Sequence, residues 1–140
     1  MPRIKHLAIF AKDQLKMVEF YQSTFGMKQV HQYDAYGDPS RQAYYLSDGY
    51  VNLALLKFKA DEPAITEGAP RHTGIHHFGV KVDNMEEASA RIVAAGAVHR
   101  PYEGVDEMEK RGNVEVKFYG PDGVTVDLSA DGWAGTRVDM

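Results

Sequence analysis

Alternation of apolar with polar or small side chains is the first pattern along the chain, and its two-residue period is that of a β-strand. Residues 4–11 read IKHLAIFA, and residues 75–82 read IHHFGVKV. One face of the first segment carries Leu7, Ile9 and Ala11, whereas the other carries His6 and Phe10. The pattern predicts two strands, each with an apolar face against helices and a mixed, polar opposite face.

The two segments lie 71 residues apart, and the helix signals that follow them repeat with nearly the same spacing. Asp13 is placed to cap a helix over 14–25, and Asn84 with Glu87 forms a capping box for a helix over 85–95. Each helix then meets a glycine, Gly26 or Gly96, at the usual C-terminal position. These signals indicate an internal repeat in which each copy covers about half of the chain.

Each copy later reaches an Asp-Gly turn, at residues 48–49 and 122–123, with alternating strand-like segments on both sides. Each copy therefore reads strand, helix and three strands. We predict an α+β fold of two βαβββ modules, whose mixed sheets curl into half-barrels around a cavity. The expected boundaries are 1–66 for the N-terminal module, 67–74 for a linker, 75–130 for the C-terminal module and 131–140 for a tail. The charged run 102–112 is predicted to be a solvated loop.

Composition narrows the functional classes. The chain has 140 residues, no cysteine and a net charge of -4, with lysine and arginine scattered along it. These features exclude a disulfide framework and thiolate chemistry, and they argue against a nucleic-acid partner. No apolar run reaches the roughly 18 residues of a membrane helix, and no phosphate-binding loop motif occurs. The N-terminus lacks a signal-peptide pattern, so we expect a cytoplasmic protein.

Polar side chains from both modules share the predicted cavity face. His6 and His77 occupy equivalent positions in the two copies, and Asp127 lies on the last strand of the second copy. Two imidazoles and one carboxylate form a ligand set for a divalent metal. By strand alternation, His76 is expected to point to the helix side. The remaining polar residues of the cavity face are Asn52, Glu115, Lys117 and Tyr119.

Four segments carry a family resemblance, and they read KHLAIFAKD, EFYQSTFGMK, GIHHFGVKVDN and KFYGPDGVTVDL. Together with the repeat, they resemble the vicinal oxygen chelate superfamily. That superfamily includes glyoxalase I, extradiol dioxygenases, methylmalonyl-CoA epimerase and the bleomycin-resistance proteins. The resemblance extends from Ile4 to about Ser129, although Gly120 stands where the family phrase has Asp.

The resemblance implies that His6, His77 and Asp127 bind a divalent metal, for which Fe, Zn, Mn, Ni and Co are the candidates. The fourth ligand position of the family falls on Asn52, or on Ala54 if the alignment shifts by two residues. Neither residue is the Glu that glyoxalase I usually has. The three-ligand set is similar to that of the extradiol dioxygenases, although those enzymes use Glu where this chain has Asp127. Small members are commonly homodimers, so a homodimer is implied as well.

The function implied is that of a metal-dependent enzyme whose small substrate chelates the metal through neighbouring oxygens. Extradiol-type ring cleavage is slightly favoured over glyoxalase or epimerase chemistry. Tyr119 and Glu115 are the expected catalytic residues, and Asn52, Lys117 and Phe10 are the expected substrate-binding residues. The alternative is a non-catalytic protein that sequesters a ligand, similar to the bleomycin-resistance proteins, and such a protein needs no metal.

Overall fold

A computed structural model describes residues 1–34, 42–57, 73–100 and 115–137. The first half contains β1 (Arg3–Ala11), α1 (Gln14–Phe25), β2 (Lys28–Asp34), β3 (Gln42–Ser47) and β4 (Asn52–Lys57). The second half contains β5 (Gly74–Lys81), α2 (Met85–Ala94), β6 (Val98–His99), β7 (Val116–Tyr119) and β8 (Thr125–Ser129). Most of the predicted linker, 67–74, and the whole predicted loop, 102–112, lie outside the described residues.

The described strands form one open, mixed sheet of eight strands in the order β2-β3-β4-β1-β5-β8-β7-β6. Strand β1 is parallel to β4, β5 is parallel to β8, and β1 and β5 are antiparallel to each other. Equivalent strands of the two halves therefore lie at equal distances from the β1–β5 pair. This arrangement confirms the predicted α+β fold of two βαβββ modules. None of the helices described is both long and apolar enough to cross a membrane.

The helix ends are formed by the residues that the sequence indicated. Oδ1 of Asp13 accepts a hydrogen bond from the backbone N–H of Lys16, and Oδ1 of Asn84 accepts one from the backbone N–H of Glu87. These bonds satisfy donors that have no partner within the helix. Gly26 ends α1 with a φ of 66°, a left-handed conformation that favours glycine.

Each helix covers the apolar face of its own half of the sheet. The core between α1 and the sheet consists of Val18, which belongs to the helix, and of the strand residues Tyr44, Leu46, Leu53 and Leu55. The core under α2 consists of Val82, Ala97, Phe118 and Leu128. Full burial of a leucine or phenylalanine side chain contributes about 1.5–3 kcal/mol to stability. Leu53, Leu55, Phe118 and Leu128 lie in these cores, on the predicted helix-facing sides, which leaves the opposite side of the sheet for polar groups.

A β-bulge in β5 changes the direction of one side chain. Ala8 of β1 is paired with His77, whereas Ile9 is paired with Ile75, so His76 is the extra residue of the bulge. The ring centroid of His76 lies 4.7 Å from that of Phe10, and its Nδ1 lies 2.6 Å from Nδ1 of His77. The prediction that His76 points to the helix side is wrong, because the bulge interrupts the alternation on which it depended.

Candidate functional site

Three buried side chains meet on the side of the sheet opposite the helices. His6 lies on β1, His77 on β5 and Asp127 on β8, and these strands are adjacent in the sheet. One potential ligand atom from each residue lies within 4.8 Å of the other two. The exposed fractions of the three residues are 3%, 7% and 0%, in that order. The fold therefore brings together the three residues that the sequence indicated as metal ligands.

The strand register identifies the position equivalent to Asp127 in the first module. Gly79 of β5 is paired with Asp127 of β8. The residue of β1 equivalent to Gly79 is Ala8, and Ala8 is paired with Ala54 of β4. Ala54 is therefore the counterpart of Asp127, and its methyl group has no donor atom. Of the two alternatives that the sequence left open for a fourth ligand, the register favours Ala54 over Asn52.

Asn52 instead contacts His6 and fixes its tautomer. Nδ1 of His6 lies 2.8 Å from Oδ1 of Asn52, and Nδ2 of Asn52 donates to the carbonyl of Ala134 at 2.9 Å. Because an amide oxygen only accepts, Nδ1 of His6 donates and its Nε2 keeps a lone pair. Metal-binding histidines are oriented in the same way, by a hydrogen bond from the other ring nitrogen. Burial, with a further contribution from His77, lowers the pKa of His6 to about 4, so the ring is neutral at pH 7.

The metal-free protein is expected to lose stability between pH 6.5 and about pH 4 because of His6. Its pKa is lower in the folded state than in the unfolded state, so the unfolded state binds more protons in this window. The contribution of His6 to stability is fully present above the pKa of the unfolded state. It is lost as the pH falls through the pKa of the folded state. The loss amounts to about 3 kcal/mol.

Urea denaturation at both ends of this pH window, on wild type and on His6→Gln, measures the loss of stability. An equally large loss in His6→Gln would assign it to other groups.

Asp127 is kept ionised by its neighbours. Nζ of Lys117 donates to Oδ2 of Asp127 at 2.7 Å, and Nε2 of His77 lies 3.2 Å from the same oxygen. Burial raises the pKa of Asp127, but Lys117 and then His77 outweigh burial and hold the pKa well below its usual range. Within the part of the chain that the structure describes, the buried Oδ1 of Asp127 has no hydrogen-bond partner. This carboxylate therefore has one oxygen free to accept a cation.

These donor groups fit a divalent metal ion. Neutral imidazoles and carboxylates are the ligands of zinc and of the other first-row metals. Nε2 of His6 has a free lone pair, and Oδ1 of Asp127 is an anionic oxygen without a partner among the described residues. A bound cation would satisfy Oδ1 of Asp127, which otherwise remains buried without a partner among the described residues, at a cost in free energy.

His76 adds a second imidazole next to His77. The two Nδ1 atoms lie 2.6 Å apart, so one ring donates to the other. A histidine that binds a metal through Nε2 carries its proton on Nδ1. If His77 does so, its Nδ1–H can donate a hydrogen bond to Nδ1 of His76. Burial, followed by the effect of His77, lowers the pKa of His76 to about 4, which favours the neutral form that can accept.

Glu115 is the second carboxylate of the site. Its Oε2 accepts a hydrogen bond from Nε1 of Trp133 at 2.9 Å, and its Oε1 lies 3.7 Å from Nζ of Lys117. Burial raises the pKa of Glu115, Lys117 partly offsets this rise, and Asp127 adds to it. Lys117 thus contacts both carboxylates. A carboxyl group with a raised pKa is suited to take up and release a proton near neutral pH.

Tyr119 contacts Arg100, and Phe10 contacts His76. Tyr119 is two residues beyond Lys117 on β7, and the guanidinium carbon of Arg100 lies 5.9 Å from the centroid of its ring. The ring of Phe10 packs against His76. Of the predicted catalytic and substrate-binding residues, Lys117 contacts Asp127 directly and Asn52 contacts His6. Glu115 contacts Lys117. Tyr119 lies beside Arg100, and Phe10 lies beside His76.

Trp133 lies in the same cluster, although the sequence assigned it to a tail. Its ring is stacked on His6, with centroids 4.9 Å apart and an interplanar angle of 7°. It is 5% exposed and is the only tryptophan of the chain. The stretch DGWAG was the signal that could have identified it, because a large apolar ring is seldom left in water.

The Glyoxalase/Bleomycin resistance protein/Dioxygenase superfamily is the family whose model matches this sequence, over residues 3–128. The matched region contains His6, His77 and Asp127 and ends before Trp133. No curated protein matches the chain in sequence.

Solved structures with a similar fold include a hypothetical protein from Bacillus halodurans C-125. It is 20% identical, with a TM-score of 0.67 over 91% of this chain and 92% of that one. Methylmalonyl-CoA epimerase from Mycobacterium tuberculosis is 18% identical, with a TM-score of 0.60 over 89% and 85% of the two chains. A variant of methylmalonyl-CoA epimerase from Streptomyces coelicolor, in complex with 2-nitronate-propionyl-CoA, is 20% identical, with a TM-score of 0.62 over 90% and 94%. At these identities the likeness shows the fold.

Proposed function

Because the chain belongs to the Glyoxalase/Bleomycin resistance protein/Dioxygenase superfamily, we propose that it is a metal-dependent enzyme that moves a proton on a carbon beside a carbonyl group. Its substrate is a small molecule with two neighbouring oxygens that bind the metal. The observation that carries the proposal is the second carboxylate, Glu115. Lys117 contacts both Glu115 and the candidate metal ligand Asp127. Proton transfer requires such a base beside the metal ligands.

His6, His77 and Asp127 hold the metal in this proposal. His6 would offer Nε2, because Asn52 occupies Nδ1, and Asp127 would offer the oxygen that has no other partner among the described residues. When bound, the metal supplies a Lewis acid that stabilises negative charge on the two substrate oxygens. Ala54, the counterpart of Asp127, supplies no fourth protein ligand in this proposal.

Glu115 removes the proton and returns it. The positive charge of Lys117 favours the ionised form of Glu115, which accepts a proton, whereas burial and Asp127 favour the protonated form, which gives it back. A group that passes between both forms in one reaction cycle needs such a balance. Return of the proton to the same carbon makes the enzyme an epimerase, and return to a neighbouring atom makes it an isomerase or lyase of the glyoxalase type.

Methylmalonyl-CoA is the first substrate to test. Proteins of the same fold include methylmalonyl-CoA epimerases, one of them in complex with methylmalonyl-CoA and NH4+. The molecule also meets the chemical requirement, because it has a C–H group between a carboxylate and a thioester carbonyl. Phe10 and Tyr119 border the substrate in this proposal, whereas Asn52 acts on it through His6.

Replacement of Glu115 by glutamine is expected to lower the rate of proton exchange at the substrate carbon about 100- to 10,000-fold. Glutamine keeps the size of the side chain and still accepts the hydrogen bond of Trp133, but it cannot take up the proton. The metal content is expected to stay unchanged, because Glu115 is not a ligand. Deuterium incorporation from D2O into methylmalonyl-CoA, followed by mass spectrometry, measures the rate.

Glu86→Gln, at an exposed position of α2, is the matched control for this variant. Exchange at the wild-type rate in Glu115→Gln would show that another group is the base. If metal-loaded wild type gives no exchange at all, methylmalonyl-CoA is not a substrate, and other carbonyl compounds with neighbouring oxygens are tested next.

Extradiol ring cleavage is a second candidate function, and the three-ligand set favours it. Two histidines and one carboxylate, with no donor on Ala54, resemble the triad that leaves positions open for both a substrate and O2. Tyr119 would then contact the substrate. Incubation of the Fe(II)-loaded protein with a catechol in air distinguishes the two candidates, because a ring-opened product would favour cleavage over proton transfer.

The homodimer and the cytoplasmic location expected from the sequence stay predictions. Ligand sequestration without catalysis also stays open. It becomes the leading alternative if the wild-type protein binds none of the five candidate metals.

A further inference from the structure

Residues 130–137, here called the C-terminal strap, cross the face of the sheet that carries the candidate metal ligands. The strap leaves β8 through hydrogen bonds between Oγ of Ser129 and the backbone of Gly132. Trp133 then lies over β5 and β1, where it contacts Gly79 and His6. The strap ends on the first module, so it connects the two halves of the protein across the site.

The first module fixes the far end of the strap. Nδ2 of Asn52 donates to the carbonyl of Ala134 at 2.9 Å, and Oγ of Ser47 donates to the carbonyl of Gly135 at 3.0 Å. A Cβ atom added at Gly135 would lie 2.7 Å from atoms of Ser47 and Val30, so only glycine permits this approach. These contacts fix the strap against the first module.

The indole ring of Trp133 packs on two adjacent strands of the sheet. On one side it stacks on His6, and a Cβ atom added at Gly79 would lie 2.5 Å from its Cζ2. The indole plane is nearly parallel to the imidazole of His6, and its close packing on His6 and Gly79 restricts its rotation. The direction of its Nε1–H bond is therefore fixed, and that bond points to Oε2 of Glu115 at 2.9 Å.

We propose that Trp133 is a positioning residue for the reaction: it holds the Glu115 carboxylate at the position from which the proton is taken. This inference rests on the proposed function, since it assigns Trp133 a role through the proposed base. The strap sets the position of the indole, the indole sets the position of Oε2, and Lys117 holds the other oxygen at 3.7 Å. Glu115 lies just before β7, and these two contacts hold both oxygens of its carboxylate.

A double-mutant cycle between Trp133 and Glu115 tests the proposal. Trp133→Phe keeps an aromatic ring against His6 but removes the N–H donor. We expect kcat to fall about 10- to 100-fold with KM nearly unchanged, because the base is misplaced while the substrate still binds. In the Glu115→Gln background the same substitution is expected to have almost no effect, because the group it positions is already inactive. Equal losses in both backgrounds would overturn the proposal.

Tyr21→Phe on α1 is the matched control, since it also removes one polar atom from an aromatic ring. Metal affinity, measured by competition with a chelating dye, is expected to be the same in wild type and in Trp133→Phe. A parallel fall in metal affinity and kcat would overturn the proposal, because Trp133 would then act through His6. Far-UV circular dichroism checks that each variant is folded.

The single tryptophan provides a measurement that needs no substrate. At alkaline pH, where Glu115 is ionised, its replacement by glutamine removes a negative charge from beside Nε1, so the fluorescence emission maximum of Trp133 is expected to shift. The Glu86→Gln control is expected to leave it unchanged. If no substrate of the proposed class reacts but the emission shifts, the Trp133–Glu115 contact is supported and only the proposed reaction fails. If Glu115→Gln leaves the emission unchanged, the contact and the proposal are overturned.

Discussion

His77→Ala is expected to lower the affinity of the protein for divalent metal at least about 100-fold, because even loss of a residue that only supports a ligand costs 10- to 100-fold. His77 is 7% exposed and lies between His6 on β1 and Asp127 on β8. Water cannot easily take its place in such a buried position. Metal-dependent activity is expected to fall with the metal content. Titration of the metal-free protein with Zn2+ or Co2+, in competition with a chelating dye, measures the affinity.

The matched control is His31→Ala, because His31 is an exposed histidine of β2. Its affinity for metal is expected to equal that of wild type. Retention of wild-type affinity in His77→Ala would remove His77 from the ligand set. A similar fall in both variants would indicate that metal binds to surface histidines.

Asp127→Asn is expected to lower the free energy of unfolding of the metal-free protein by about 3–5 kcal/mol. Asp127 is 0% exposed, and its Oδ2 accepts the hydrogen bond of the buried Lys117 ammonium at 2.7 Å. Asparagine keeps the shape but removes the charge, which leaves the ammonium buried without its closest counter-ion. Glu115 supplies a weaker interaction at 3.7 Å. Urea denaturation in the presence of a chelator measures the change without a metal contribution.

The Lys117→Met background tests whether the unpaired ammonium causes this loss of stability. In this background there is no ammonium to leave unpaired, so Asp127→Asn is expected to cost much less. The exposed Asp131→Asn serves as control and is expected to change stability by less than about 0.5 kcal/mol. If Asp127→Asn costs the same with and without Lys117, the ion pair is not the reason for the loss.

The fold was predictable from the sequence because its signals are local and occur twice. The alternation around Leu7 and Val80 determines which side of each strand meets a helix, and Asp13 and Asn84 mark where the helices begin. Three potential ligands followed from the same alternation, since His6, His77 and Asp127 lie on strands with a clear apolar face. The repeat made their convergence predictable without any knowledge of contacts.

Other features of the site depend on strand register and on contacts between distant segments. The alternation of apolar and polar residues does not predict either of these. The bulge at His76 turns a side chain that a regular strand would have directed to α2. The pairing of Ala8 with Ala54 decides which residue is the counterpart of Asp127, and a shift of two residues preserves the alternation. Trp133 reaches His6 across a sequence separation of more than a hundred residues, through a strap without regular secondary structure.

The metal content of the purified protein tests the central claim most directly. Elemental analysis is carried out on wild type and on His77→Ala, both purified without a chelator or an affinity-tag metal. We predict about one equivalent of Fe, Zn, Mn, Ni or Co per wild-type chain, and almost none in the variant. A wild-type protein that contains no metal, and binds none of these five on titration, would contradict the metalloenzyme proposal and favour ligand sequestration.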